Sequence, residues 1–208
     1  GKGICSAESI RNMLSSGKAI PSGCIPEAAY KELSEAIECR KLIFPEDFSD
    51  MLIHALFCSS GNLTGYADIG EDQANRIEAF LPEFTGIRSF AGMLKTRNIT
   101  YTRVMRMLFS VLLEHKKDTL SLWRSSGYHS PVMVLGVSKA HREILSDIAA
   151  GSSTPVIISS SDADQLKGTL EGEIYSDTCR ASEIYRFAAQ IKSGEQIKSA
   201  SRRSLLII

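Results

Sequence analysis

Between Phe84 and Leu113 the chain carries Arg88, Lys95, Arg97, Arg103 and Arg106 but neither Asp nor Glu. In 208 residues whose formal charges cancel, this is a local surplus of five positive charges, and the remainder is net acidic by five. Cations at this density suit the recognition of phosphate oxygens by charge-assisted hydrogen bonds. A solvated basic face on a core helix would give the same pattern.

From Thr100 onward Tyr101, Val104, Met105, Leu108, Val111 and Leu112 recur at spacings of three and four, which predicts a helix with one apolar face. Thr100 or Thr102 can cap its start. Arg103 and Arg106 fall in the first turns, and Lys95 and Arg97 lie just upstream. Four cations thus gather about a helix N-terminus, whose free N–H groups favour an anion.

Other chemistries find less support. The five cysteines are widely spaced with no CxxC pair, so free thiols are expected. The four histidines show no HxxxH spacing, and no metal site is expected. No GxxxxGK[ST] or GxGxxG loop occurs, and no Ser-His-Asp or Cys-His arrangement has local context. No apolar run approaches the roughly 20 residues needed to cross a bilayer, so no membrane partner is expected and a cytoplasmic setting is.

The elements that must position these residues are mostly helical. Ser6 can cap a short helix with Ile10, Met13 and Leu14 on one face and Gly17 at its end. Pro26 and Pro45 stand at favoured helix entrances, the second leading into a stripe of Phe48, Met51, Leu52, Ala55 and Leu56. A helix over EDQANRIEAFLPE ends at Pro82, and SFAGMLK forms another. Past residue 127, the runs SPVMVLGVS and TPVIISS flank the helical KAHREILSDIAAG, a strand-helix-strand unit of parallel type. Helices are expected over 162–170 and 177–191, and SLLII is expected to join the small sheet. Arg202 and Arg203, just before it, could extend the positive surface. The fold class expected is mainly α (α+β), a helical domain with a small parallel C-terminal sheet.

Several segments resemble one family. KTRNITYTRVMR is similar to the Lys-Thr-Lys-Arg-Tyr-Thr-x-Thr-Arg-x-x-Arg segment of the tRNA cytidine acetate ligases, with Asn98 and Ile99 as departures. SAESIR resembles the Ser-Ala-Thr-x-Ile-Arg motif that holds the ATP phosphates in that family, with Glu8 in place of Thr. Asn75, Arg76 and Ile77 match an Asn-Arg-Ile segment, and DTCRASEIYRFA resembles a family segment with Asp, Ala and Tyr, carried here by Asp177, Ala181 and Tyr185.

The resemblance implies an enzyme that uses ATP, with magnesium, and acetate to acetylate the wobble cytidine of elongator methionine tRNA through acetyl-adenylate. It assigns nucleotide binding to Ser6 and Arg11, and RNA binding to Lys95, Arg97, Arg103, Arg106, Asn75 and Arg76. The Asn-Pro-Phe-His-x-Gly-His type motif of the catalytic half does not occur in these residues. The expectation is therefore a C-terminal region lacking the catalytic domain. It divides into the tail of a nucleotidyltransferase domain over 1–18, a helical domain over 19–126 and a small α/β subdomain over 127–208. On this reading the chain positions tRNA, is not itself catalytic and holds no cofactor tightly. The alternative is a protein-interaction or assembly module in which the basic stretch pairs with acidic surfaces.

Overall fold

The computed structural model of the chain describes residues 5–21, 23–199 and 205–207. Its helices are α1 (Ala7–Ser15), α2 (Glu27–Glu38), α3 (Ser49–Cys58), α4 (Glu71–Phe80), α5 (Ile87–Leu94), α6 (Tyr101–Leu112), α7 (Lys117–Ser125), α8 (Ile144–Gly151), α9 (Ser160–Gln165) and α10 (Leu170–Ser193). Short 3-10 helices, such as Pro45–Phe48 before α3 and Leu81–Glu83 after α4, make the bends at proline. Proline lacks the N–H that a continuing α-helix would need, which is why α4 stops at Phe80.

The core is built on α6. Val104, Met107, Leu108, Val111 and Leu112 are buried along it and meet Leu52 and Leu56 of α3 and Ile87, Phe90, Ala91 and Leu94 of α5. Each such Val, Leu, Ile, Met or Phe side chain contributes about 1.5–3 kcal/mol by leaving water. Ser110 is the buried polar residue among them, and its hydroxyl donates to the carbonyls of Met107 and Ala67 at 2.7 and 3.0 Å. That satisfies the hydroxyl and ties the helix to the loop before α4. Two residues of the predicted apolar face behave differently. Tyr101 is 38% exposed, and Met105 is only partly buried, because the first turn of α6 borders an open cleft.

The small parallel sheet expected at the C-terminal end is present as two separate pairs. β1 (Val132–Met133) pairs with β3 (Val156–Ile157), with α8 between them in sequence, whereas β2 (Gly136–Val137) pairs with β4 (Leu206–Ile207). Gly136 permits the second pairing, since a Cβ there would lie 3.1 Å from the Leu206 carbonyl oxygen. Arg202 and Arg203 lie outside the described residues.

α10 begins well before the expected residue 177. Thr169 caps it by accepting the Gly172 N–H at 3.1 Å, and a Cβ on Gly172 would sit only 1.9 Å from the Leu166 carbonyl oxygen. Glycine is what lets this helix start against the preceding turn. The helix then returns to the main body, placing Ala188 in the core and Lys192 2.7 Å from Asp47. Ahead of it, Asp162 accepts N–H groups of Ile158 and Ser159, which hold its carboxyl below the usual aspartate range.

Cys5 and Cys24, expected as free thiols, are joined in a disulfide. The turn after α1 carries residue 24 back beside residue 5, with Cα atoms 5.1 Å apart, a return invisible in the linear spacing. Cys39, Cys58 and Cys179 are free. No helix among the described residues is long and apolar enough to cross a membrane.

Candidate nucleotide cleft and basic face

Where α1, the Lys41–Pro45 segment, the start of α5, the start of α6 and α10 come together, they enclose a cleft of about 670 Å3. That is the size range of small-molecule sites. Arg11, Lys41 and Arg88 reach it from three different elements, and Phe44, Tyr101 and Tyr185 supply rings. Glu8 is the carboxylate on its lining.

The rings and cations are held by a network beneath them. The Phe44 backbone N–H donates to Asp47 Oδ2 at 2.6 Å, and Lys192 Nζ donates to the same oxygen at 2.7 Å. Lys192 also lies 5.0 Å from the Phe44 ring centroid, with the Arg88 guanidinium at 6.0 Å. Phe48 packs edge-on against Phe109 at 5.7 Å and lies tilted against Tyr185 at 6.4 Å. Phe44, Phe48 and Tyr185 are thereby fixed from below.

The N-terminus of α5 is already filled. Glu46 accepts the Arg88 N–H at 3.0 Å, while Ser49 donates to Glu46 at 3.2 Å and accepts the Ile87 N–H at 3.3 Å. An anion entering the cleft must therefore be recognised by side chains rather than by this helix end.

Of the two residues assigned to nucleotide binding, the structure brings Arg11 into this cleft and leaves Ser6 outside it. The Ser6 hydroxyl caps α1 by accepting the Ser9 N–H at 3.1 Å, and Ser6 borders a separate shallow pocket with Lys18. Lys95, Arg97, Arg103 and Arg106 are all exposed. Lys95 and Arg97 sit on a tight loop bridged between Thr96 and Ile99. Arg103 and Arg106 follow on the solvent arc of α6, and Arg106 makes a surface pair with Asp68 at 3.3 Å. Thr100 caps α6 by accepting the Arg103 N–H, so part of this helix end is occupied as well.

The matched pair on α4 splits. Asn75 is exposed, whereas the Arg76 guanidinium donates to the carbonyls of Leu94 and Met93 at 3.1 and 2.6 Å and lies 4.9 Å from the Phe80 ring centroid. Arg76 thus closes the C-terminal end of α5, where orphan carbonyls need donors.

Lys41, Phe44 and Tyr185 were not among the residues assigned a site from sequence. The adjacency of a lysine and a phenylalanine just ahead of Pro45 was the available signal. Tyr185 entered only through the family resemblance, which assigned it no site.

The mostly helical body thus brings three cations, three aromatic rings and one carboxylate to a single cleft. The HIGH Nucleotidyl Transferase family model matches residues 1–200, and the chain belongs to that family. Its relatives include the tRNA(Met) cytidine acetate ligase of Clostridium perfringens, 29% identical over 66% of this chain and 32% of that protein. The ligase of the same name from Listeria monocytogenes is 25% identical over 91% of this chain and 45% of its own length. The chain thus spans less than half the length of these relatives.

Among solved structures, apo Thermotoga maritima TmcAL superposes with a TM-score of 0.77 at 19% identity, covering 100% of this chain and 52% of that one. The same protein bound with alpha-thio ATP superposes with a TM-score of 0.77 at 18% identity, over 98% and 52%. At this identity the likeness concerns the fold.

These findings correct three expectations. The chain is not a C-terminal region outside the nucleotidyltransferase family model, because that match runs from residue 1 through the helical body to residue 200. The expectation rested on one strand-and-histidine signature, whereas the match extends over nearly the whole chain. For the same reason, neither the non-catalytic tRNA-positioning role nor the assembly-module alternative stands, since the homology points to the nucleotidyltransferase ligase unit itself. The view of the chain as lacking catalytic machinery falls with them.

Proposed function

We propose that the chain forms part of the catalytic unit of an ATP-dependent, tRNA-modifying ligase, with ATP seated in the cleft. The observation that carries this is the convergence of Arg11, Lys41 and Arg88 with Phe44, Tyr101 and Tyr185 on one space of nucleotide size. The three cations offset the triphosphate charge, and the rings offer faces to the base. When bound, ATP supplies a phosphorus centre at which the carboxylate of acetate is activated. Among the described residues no three His, Cys, Asp or Glu side chains group as metal ligands. A magnesium ion arriving with the nucleotide would be held by phosphate oxygens and water, as is usual for this cation.

Lys95, Arg97, Arg103 and Arg106 form the surface for the tRNA backbone, and Asn75 is exposed on α4. The relatives' name points to a methionine tRNA as the substrate. The test is tRNA binding across a salt series with the double variant Arg103→Ala, Arg106→Ala. Two lost phosphate contacts should weaken binding and flatten the slope of log K against log salt by about two. An unchanged slope would remove these residues from the interface.

A further inference from the structure

The wall of the cleft that α1 forms has few ties to the rest of the molecule. α1 carries no buried residue, and Ile10, Met13 and Leu14 on its apolar face are only half-buried. Its hydrogen bonds among the described residues stay within the span 6–18: Ser6 accepts from Ser9, the Ser15 and Ser16 hydroxyls donate to the Asn12 carbonyl, and the Lys18 N–H donates to the Met13 carbonyl. No ion pair among the described residues joins α1 to another element. A helix of nine residues is marginal in water on its own. Yet α1 is the element that brings Arg11 to the cleft.

The cross-link supplies the missing tie. Cys5 stands just ahead of the cap at Ser6, and Cys24 lies 19 residues on, in the segment that leads to α2. Their bond closes α1 inside a loop whose ends are 5.1 Å apart at Cα. Closing such a loop removes chain entropy from the detached state, so the seated arrangement of α1 is favoured while the bond is intact. Neither cysteine nor any residue of α1 belongs to the core around α6. The bond therefore constrains the cleft wall rather than the core. Both cysteines are half-buried rather than sealed inside, which leaves the sulfurs open to a small thiol.

We propose that the Cys5–Cys24 disulfide is a redox latch on α1: intact, it holds Arg11 at the cleft, and reduced, it frees α1 and weakens nucleotide binding. The inference rests on the nucleotide reading above. In the opening step a thiolate of a dithiol attacks one sulfur, forming a mixed disulfide and releasing the other cysteine as a thiol. The second thiol of the reductant then displaces the first cysteine. The cysteine pair gains two electrons and two protons, and the dithiol leaves as its cyclic disulfide. Cys39, Cys58 and Cys179 start and end as thiols.

The experiment compares the full chain prepared without reductant with the same chain in dithiothreitol. Alkylation in denaturant should label only Cys39, Cys58 and Cys179 in the first, and all five cysteines in the second. Hydrogen exchange, read without nucleotide, should quicken in α1 on reduction and stay unchanged in α3, α5 and α6. ATP should bind the reduced chain about tenfold more weakly, the loss of one charge-assisted phosphate contact. Cys24→Ser should behave as the reduced chain and ignore dithiothreitol, and its slow exchange in α3, α5 and α6 shows that it is folded. Labelling of all five cysteines without reductant, equal exchange of α1 in both states, or equal ATP affinity in both would each overturn the proposal. ATP binding in neither state, beside an α1 loosened by reduction, would instead contradict the nucleotide reading while supporting the hold of the disulfide on α1.

Discussion

Replacing Arg11 and Lys41 together by alanine is expected to weaken ATP binding roughly a hundredfold while leaving the melting temperature within about 2 °C of the parent. Each charge-assisted contact to phosphate contributes about 1.5 kcal/mol, so two give about 3 kcal/mol. The fold does not depend on either side chain. Arg11 is exposed and makes no ion pair among the described residues, and Lys41 meets only Glu195 at 3.7 Å in a pair more than half exposed on both sides. Such pairs add little to stability. Calorimetric titration beside a thermal melt checks both halves, and a collapse in melting temperature would mean that the cations serve the fold instead. Arg88 is the poorer choice, because its backbone and side chain both engage Glu46.

The largest effect on stability is expected from Phe90→Ala. Phe90 is fully buried in α5 and packs edge-on against Phe84 with centroids 5.1 Å apart. Truncation removes apolar burial and leaves a cavity, at a cost of about 4 kcal/mol and a fall in melting temperature of roughly 10 °C. The control is Phe57→Ala on α3, whose ring is 74% exposed and whose loss should stay within about 0.5 kcal/mol. Comparable effects for the two variants, measured by chemical denaturation, would contradict the packing described around α6.

Both experiments bear on what could be read from residue order. The caps at Ser6 and Thr100 and the stop at Pro82 were legible because each acts through groups within one turn of itself. The α6 stripe was legible where a neighbouring helix covers it, at Val104, Leu108 and Val111, and misread at Tyr101, where no helix does. Periodicity marks an apolar face but says nothing of what lies opposite. Arg76 shows the same limit from the polar side. Its spacing is that of a surface cation, yet its partners are carbonyls 17 and 18 residues away.

The cleft was only partly legible for the same reason. Arg11 carried a local motif, but Lys41, Phe44 and Tyr185 become neighbours only after α10 folds back across the 3-10 helix at Pro45. The disulfide between Cys5 and Cys24 likewise depends on a chain return that spacing does not record. The choice between catalytic unit and accessory region turned on a single motif, and the family match across residues 1–200 proved the stronger evidence.

The central claim is that this cleft takes the nucleotide, and hydrogen exchange with and without ATP tests it most directly. The account predicts slowed exchange in α1, in residues 41–48 and in the first turn of α6, with the C-terminal strand pairs unchanged. Saturating ATP that leaves those three segments unprotected, or that protects only the region beyond residue 127, would contradict it.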